Sequence, residues 1–297
     1  MRTHTYKVFG SQTAKVGSLN SLLSNRKRGG FTVLELLVVL AIIAIVAALL
    51  LPALSRSKAR AQAIGCMSNY KQLALAWTMY STENNDRLVY NVGASAYRSM
   101  SLAVANPNWM NNIMDWELNS DNTNQNFVNQ SILAPYARYN ASIYHCPADR
   151  ALSAVQRNAG WSGRVRSVSM NAMVGDPGAV LLAGANISNP GQQQFVKEID
   201  FRDPSSIFVF LDEHPDSIND GYFLDTPDAL EWVDLPASYH NGGGSFSFAD
   251  GHAEIHRWRS ALTVRPPGPD IGLALTVDPN DRSDFDWVIK HMSLENR

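Results

Sequence analysis

The chain has only two cysteines among its 297 residues, Cys66 and Cys146. They form no CxxC pair, which excludes a zinc ribbon or a thioredoxin-type redox site. No GxSxG, P-loop, GxGxxG or HExxH pattern occurs, so the common hydrolase, nucleotide and zincin signatures are absent. The first 30 residues hold no acid. They carry Arg2, Lys7, Lys15, Arg26, Lys27 and Arg28 against a whole-chain net charge of -2, which leaves the remainder at about -8. An acidic remainder without clustered Lys and Arg has no nucleic-acid footprint. It suits an extracellular surface or a cation site.

What the chain does have is one long apolar run. Residues 31–51, FTVLELLVVLAIIAIVAALLL, contain a single charge, Glu35, and neither Pro nor Gly. As a helix at about 1.5 Å per residue they span roughly 30 Å, the thickness of a bilayer core. Arg26, Lys27 and Arg28 flank the run on its N-terminal side. By the positive-inside rule that end stays cytoplasmic and the remainder crosses the membrane. A secretory signal peptide has a shorter apolar core, about 7–15 residues, followed by a small-residue cleavage site. A plain signal anchor explains length and flanks but not Glu35. A carboxylate inside the bilayer costs on the order of 2–3 kcal/mol, and such residues are usually functional.

The stretch Arg28-Gly29-Gly30-Phe31-Thr32-Val33-Leu34-Glu35 resembles the class III signal of type IV prepilins and type II secretion pseudopilins. In that family an aspartic prepilin peptidase cuts after the glycine and methylates the new N-terminal phenylalanine. The resemblance places the cut between Gly30 and Phe31, the methyl group on Phe31 and the family's assembly glutamate at Glu35. It also places the family's frequent helix proline at Pro52. It implies a bacterial inner-membrane protein with one span, partnered by prepilin peptidase and other pilin or pseudopilin subunits. Its head would lie in the periplasm or outside the cell. The physics agrees. Cleavage creates an amine at Phe31, and Glu35 of a neighbouring copy neutralises it inside an apolar filament core. Head-to-tail packing of such helices does not close, so it propagates as a helical polymer.

Past Pro52, which should kink or loosen the helix, residues 54–82 are free of Pro and rich in Ala. Leu54, Ala61, Ile64, Met67, Leu73, Ala74, Trp77 and Tyr80 form an approximate helical stripe, with Arg56, Lys58, Arg60 and Lys71 largely off it. The pattern stops at Glu83-Asn84-Asn85-Asp86. The expected organisation is a leader at 1–30, a transmembrane assembly helix at 31–51, its amphipathic continuation at 52–86 and a head at 87–297. The head reads as α+β, an antiparallel sheet packed on the long helix. Strands are expected at 167–174, 207–211, 245–249 and 252–258, with helices near 127–136 and 285–291. Asp250-Gly251 signals a two-residue hairpin turn. That register sets Phe248 opposite Ala253 and Phe246 opposite Ile255, with Ser247 opposite Glu254 and Ser245 opposite His256. One face would then be wholly apolar and the other wholly polar.

Two further features resemble a sub-group of these pilin-like proteins. One is Cys146-Pro147-Ala148-Asp149. The other is the H-X9-DG motif, His240 followed by nine residues and then Asp250-Gly251. Outside the cytoplasm Cys66 and Cys146 could form one disulfide, or they are two separate buried thiols. Asp250 is also the residue a hairpin turn prefers. His240 opens what reads as a flexible loop, Asn241-Gly242-Gly243-Gly244. A functional reading groups His240 and Asp250 with Asp212 and Glu213 as a divalent-cation site. The oxygen-rich loop 216–221 suits calcium, the ion of the major pseudopilins' head site, though its spacing is not that of an EF-hand. The same cluster could serve a metal-dependent hydrolase, which would need an adjoining pocket. Trp109, Trp116, Trp161 and Trp232 could form an adhesin-like aromatic patch if exposed together, or they are core. A structural subunit and not an enzyme is the expected role.

Overall fold

The computed structural model describes residues 30–93, 108–178, 181–182, 185–186, 188–269 and 274–295. The expected leader, residues 1–29, lies outside the described residues. The chain divides into two compact units after Pro52.

In the first unit, helix α1 (Val33–Glu83) begins. Thr32 caps it. Its Oγ1 accepts the Glu35 N–H at 3.2 Å, and Glu35 Oε2 accepts the Thr32 N–H at 2.8 Å. This reciprocal pair is a capping box, which satisfies two N–H groups a helix end otherwise leaves open. Residues 31–51 are exposed throughout. Pro52 does not break α1. It removes the one N–H that the carbonyl of Ala48 would have met, and the helix continues to Glu83.

The second unit holds the rest of α1 and the head. The buried stripe of α1 starts later than the sequence pattern suggests. It comprises Cys66, Tyr70, Leu73, Ala74, Ala76, Trp77, Tyr80 and Ser81, while Leu54 and Ile64 are exposed. Two short helices follow, α2 (Asn126–Asn129) and α3 (Ala154–Asn158). The expected helix at 127–136 is thus one turn of helix succeeded by irregular turns. The strands are β1 (Val168–Asn171), β2 (Leu181–Leu182), β3 (Ala185–Asn186), β4 (Phe208–Asp212), β5 (Tyr222–Phe223), β6 (Glu231–Trp232), β7 (Gly243–Phe248), β8 (Ala253–Arg257) and β9 (Leu275–Thr276). Helix α4 (Ser283–Met292) closes the chain where the sequence placed it.

The main sheet runs β5-β1-β4-β7-β8. Its pairs are antiparallel except β1–β5, which is parallel. Both faces are covered. On one, Cys66, Tyr70, Leu73 and Trp77 of α1 cluster with Val168, Met170 and Phe210. On the other, Phe285, Val288 and Met292 of α4 cluster with Phe208, Leu211, Phe246 and Phe248. Burying each such Phe contributes about 1.5–3 kcal/mol.

This double cover corrects the expected hairpin. Ser245 faces Ile255, Phe246 faces Glu254 and Ser247 faces Ala253, a register shifted by one residue. The loop is three residues, Ala249-Asp250-Gly251, closed by the Gly251 N–H donating to Phe248 O at 2.9 Å. Gly251 sits at φ +87°, the left-handed position that ends such a loop with a bulge. With a helix on each face there is no solvent side, so polar and apolar residues need not separate by face. Ser245 and Ser247 are fully buried on the α1 side. Gly243 and Gly244 belong to β7 rather than to a flexible loop. A Cβ on Gly244 would lie 2.7 Å from Ala237 O.

Candidate functional site

Two sites emerge, one in each unit. The first is the junction at Gly30–Phe31. Among the described residues a Cβ on Gly30 would meet nothing within 4 Å, and Phe31 is 71% exposed. From Phe31 to Leu51 the apolar side chains bury against nothing in the described chain. Helix α1 is the one described helix long and apolar enough to cross a membrane. Among the described residues the Glu35 carboxylate is held by Thr32 at its own helix start.

The second site lies under the sheet, against α1. Cys66 comes from α1, Asp212 from the end of β4, Cys146 from the segment before α3 and His240 from the turn that opens β7. One donor atom from each lies within 4.8 Å of the others, and all four residues are buried. Cys66 Sγ donates to Asp212 Oδ2 at 3.1 Å. Cys146 Sγ meets His240 Nε2 at 3.3 Å, and His240 Nε2 is 4.0 Å from Asp212 Oδ2. Ser167 Oγ donates to Asp212 Oδ1 at 3.0 Å and accepts the Cys146 N–H at 2.8 Å. Burial pushes the Cys66 thiol well up and the Cys146 thiol up. It lifts the Asp212 carboxyl to about 6 despite hydrogen bonds from Cys66 and Ser167. Burial also lowers His240. Burial thus raises the cost of charge on each of the four groups.

The expected site is redrawn on several points. Asp212 and His240 do meet, but Glu213 and Asp250 are not with them. Alternation along the strand turns Glu213 to the opposite face from Asp212, near Ser169, Ser217 and Arg166, where burial raises it to about 8. Asp250 belongs to the hairpin turn, where its carboxylate accepts the His252 N–H at 3.0 Å. The two halves of the H-X9-DG motif thus do different work: His240 enters the cluster, and Asp250-Gly251 builds the turn. Of the two alternatives left open for the cysteines, neither holds as stated: Cys66 and Cys146 are free thiols, yet their sulfurs lie within 4.8 Å of each other.

Calcium does not fit this donor set, since it prefers six to eight oxygens and two of the four donors are sulfur. In the 216–221 loop, Asp216 accepts the Gly268 N–H and Asp220 accepts the Tyr222 N–H, so these carboxylates already hold backbone. The tryptophans do not form an exposed patch. Trp109 and Trp232 are core, and Trp116 and Trp161 are half-buried. An open groove of about 490 Å³ is lined by Ala148 and Tyr239, chain neighbours of Cys146 and His240. None of the four donors lines it.

A long helix with a bare apolar first half, together with an α+β head, is a pilin-like arrangement. The signature of the prokaryotic N-terminal methylation motif matches residues 25–51, the stretch holding Gly30, Phe31 and Glu35. The match supports the pilin and pseudopilin class, a class of structural subunits processed by prepilin peptidase. Neither a curated protein nor a solved structure matches the chain.

Proposed function

We propose that this chain is a structural subunit of a type II secretion or type IV pilus-like filament. Prepilin peptidase cuts it between Gly30 and Phe31 and methylates Phe31, and α1 then assembles it with other pilin-like subunits. Before assembly it is held in the bacterial inner membrane by one span, with its head on the far side. The observation that carries this reading is the bare apolar surface of residues 31–51 directly behind the Gly30–Phe31 junction. These 21 exposed residues, all apolar but Thr32 and Glu35, would be strongly unfavourable in water, so lipid or neighbouring copies must cover them. Glu35 then exchanges its Thr32 cap for the amine of a neighbouring Phe31.

Mass spectrometry of the membrane-extracted protein tests the reading. The expected mature chain begins at Phe31 and carries a methyl group on its amine. A chain that keeps residues 1–30 in cells with an active prepilin peptidase sinks it.

A further inference from the structure

We propose that Cys66, Cys146, Asp212 and His240 form a four-coordinate site for one zinc(II) ion, which ties α1 to the sheet of the head. Sulfur, imidazole and carboxylate are the ligands zinc takes in closed structural sites. A tetrahedral ion at about 2.3 Å from sulfur and about 2.1 Å from nitrogen and oxygen holds its donors roughly 3.4–3.8 Å apart. Three of the six separations, 3.1, 3.3 and 4.0 Å, lie around that range, and all six fall within 4.8 Å. Without an ion, Cys66 and Asp212 hydrogen-bond to each other, as do Cys146 and His240. An ion between them parts each pair by a few tenths of an ångström.

The surroundings fit an ion as well. On binding, both thiols lose their protons to solvent and coordinate as thiolates, Asp212 coordinates as carboxylate and His240 as neutral imidazole through Nε2. Two thiolates, one carboxylate and Zn²⁺ sum to a single negative charge. Donors for that charge are in place. Ser167 already donates to Asp212 Oδ1. The Ser245 hydroxyl is buried beside Cys66, and the Tyr70 hydroxyl is buried beside Asp212. Neither has a well-formed hydrogen bond of its own among the described residues. Such outer donors are what thiolate and carboxylate ligands require. The four ligands come from four distant stretches of chain, so the ion acts as a cross-link in a compartment where a disulfide is the competing outcome.

The full-length chain, extracted in detergent with its thiols trapped at lysis, tests the inference. Elemental analysis should find about one zinc per chain, with Cys66 and Cys146 protected from alkylation until a chelator is added. The reduced, metal-stripped chain should regain one Zn²⁺, and cobalt(II) in its place should give sulfur-to-metal charge-transfer and tetrahedral bands. Excess calcium should not displace either ion. Cys66→Ala and Cys146→Ala should each weaken zinc binding at least tenfold, and Asp212→Asn should weaken it too. If an alanine variant fails to fold by circular dichroism, zinc uptake and thiol protection in the unaltered chain still decide. A Cys66–Cys146 disulfide in the trapped chain overturns the proposal. So does a reduced chain that takes up no stoichiometric zinc, or zinc binding unchanged in a folded Cys66→Ala chain. The inference stands apart from cleavage and assembly, and neither outcome there bears on it.

Discussion

Cys66 donates to Asp212 across 3.1 Å although 146 residues separate them in the chain. Cys66 is the first buried residue of α1, and Asp212 is the last residue of β4. Their contact is a polar fixture in the buried helix–sheet interface, with Ser167 and His240 beside it. Apolar packing alone tolerates sliding of a helix along a sheet. A buried polar pair does not, because a shift leaves each partner unsatisfied at about 1–3 kcal/mol. The pair therefore sets the register of α1 on the head.

At the other end of α1, Glu35 caps the helix and, under the proposed function, supplies the assembly charge, and one pair of substitutions separates the two. Glu35→Gln keeps an oxygen for the Thr32 N–H and so preserves the capping box, while it removes the charge. Glu35→Ala removes both. Both variants should be cleaved nearly as well as the unaltered chain, and both should assemble poorly, as counted by subunits recovered in sheared filaments. If Glu35→Gln assembles normally, the cap and not the charge is what matters.

The α4 side of the sheet is held by aromatic packing around Phe246, whose ring centre lies 5.3 Å from Phe208, 5.8 Å from Trp258 and 5.0 Å from Trp287. Phe246→Ala should cost about 3–5 kcal/mol in denaturant unfolding of the detergent-extracted chain. Ile64→Ala, on the exposed side of α1, should stay within about 0.5 kcal/mol. Equal losses at the two positions would contradict the packing described.

His256 stacks on Trp287 at 3.8 Å. Burial pulls its pKa down to about 4, with Asp284 opposing and His291 and Arg259 adding to the fall. A base whose folded value is depressed stabilises the fold above its unfolded value, about 6.5, and loses that contribution as pH falls toward 4. In unfolding midpoints the His256 contribution should therefore decline from pH 7 to pH 4, while buried carboxyls with raised values, Asp212 and Glu213 among them, act in the opposite sense. His291 and His145 are lowered as well and add to the same trend. The difference between the unaltered chain and His256→Phe should be confined to this window, with the variant declining less. Parallel curves would remove His256 from the account.

Gly251 occupies φ +87°, where a Cβ is strained. Gly251→Ala should destabilise the head by about 1–2 kcal/mol, and Gly251→Asn by less, because Asn tolerates left-handed backbone better. Urea unfolding of the two variants side by side gives the comparison. An alanine chain as stable as the original would mean that the turn takes another form.

Much of the secondary structure was legible because it rests on local pattern. The cores of β4, β7 and β8 and the whole of α4 fall where periodicity and the Asp250-Gly251 turn place them. The hairpin register was not legible. A two-residue and a three-residue loop both suit Asp250-Gly251, and the choice between them rested on the assumption of one solvent-facing side. Helix α4 covers that side, so Phe246 and Ser245 are buried alike and the pattern carries no preference. Leu54 and Ile64 misled for the opposite reason: they are apolar at helical spacing, yet among the described residues full burial on α1 starts at Cys66, after partial contact at Gln62.

The sequence by itself determined the N-terminal segment. Its basic flank, the Gly30–Phe31 junction, the apolar run and Glu35 are contiguous, and their chemistry needs no other part of the chain. The head cluster was decided by tertiary structure alone. Four stretches from α1 to β7 must fold together before Cys66, Cys146, Asp212 and His240 meet. Adjacency in sequence even pointed the wrong way: strand alternation sends Glu213 away from its neighbour Asp212, and a turn claims Asp250.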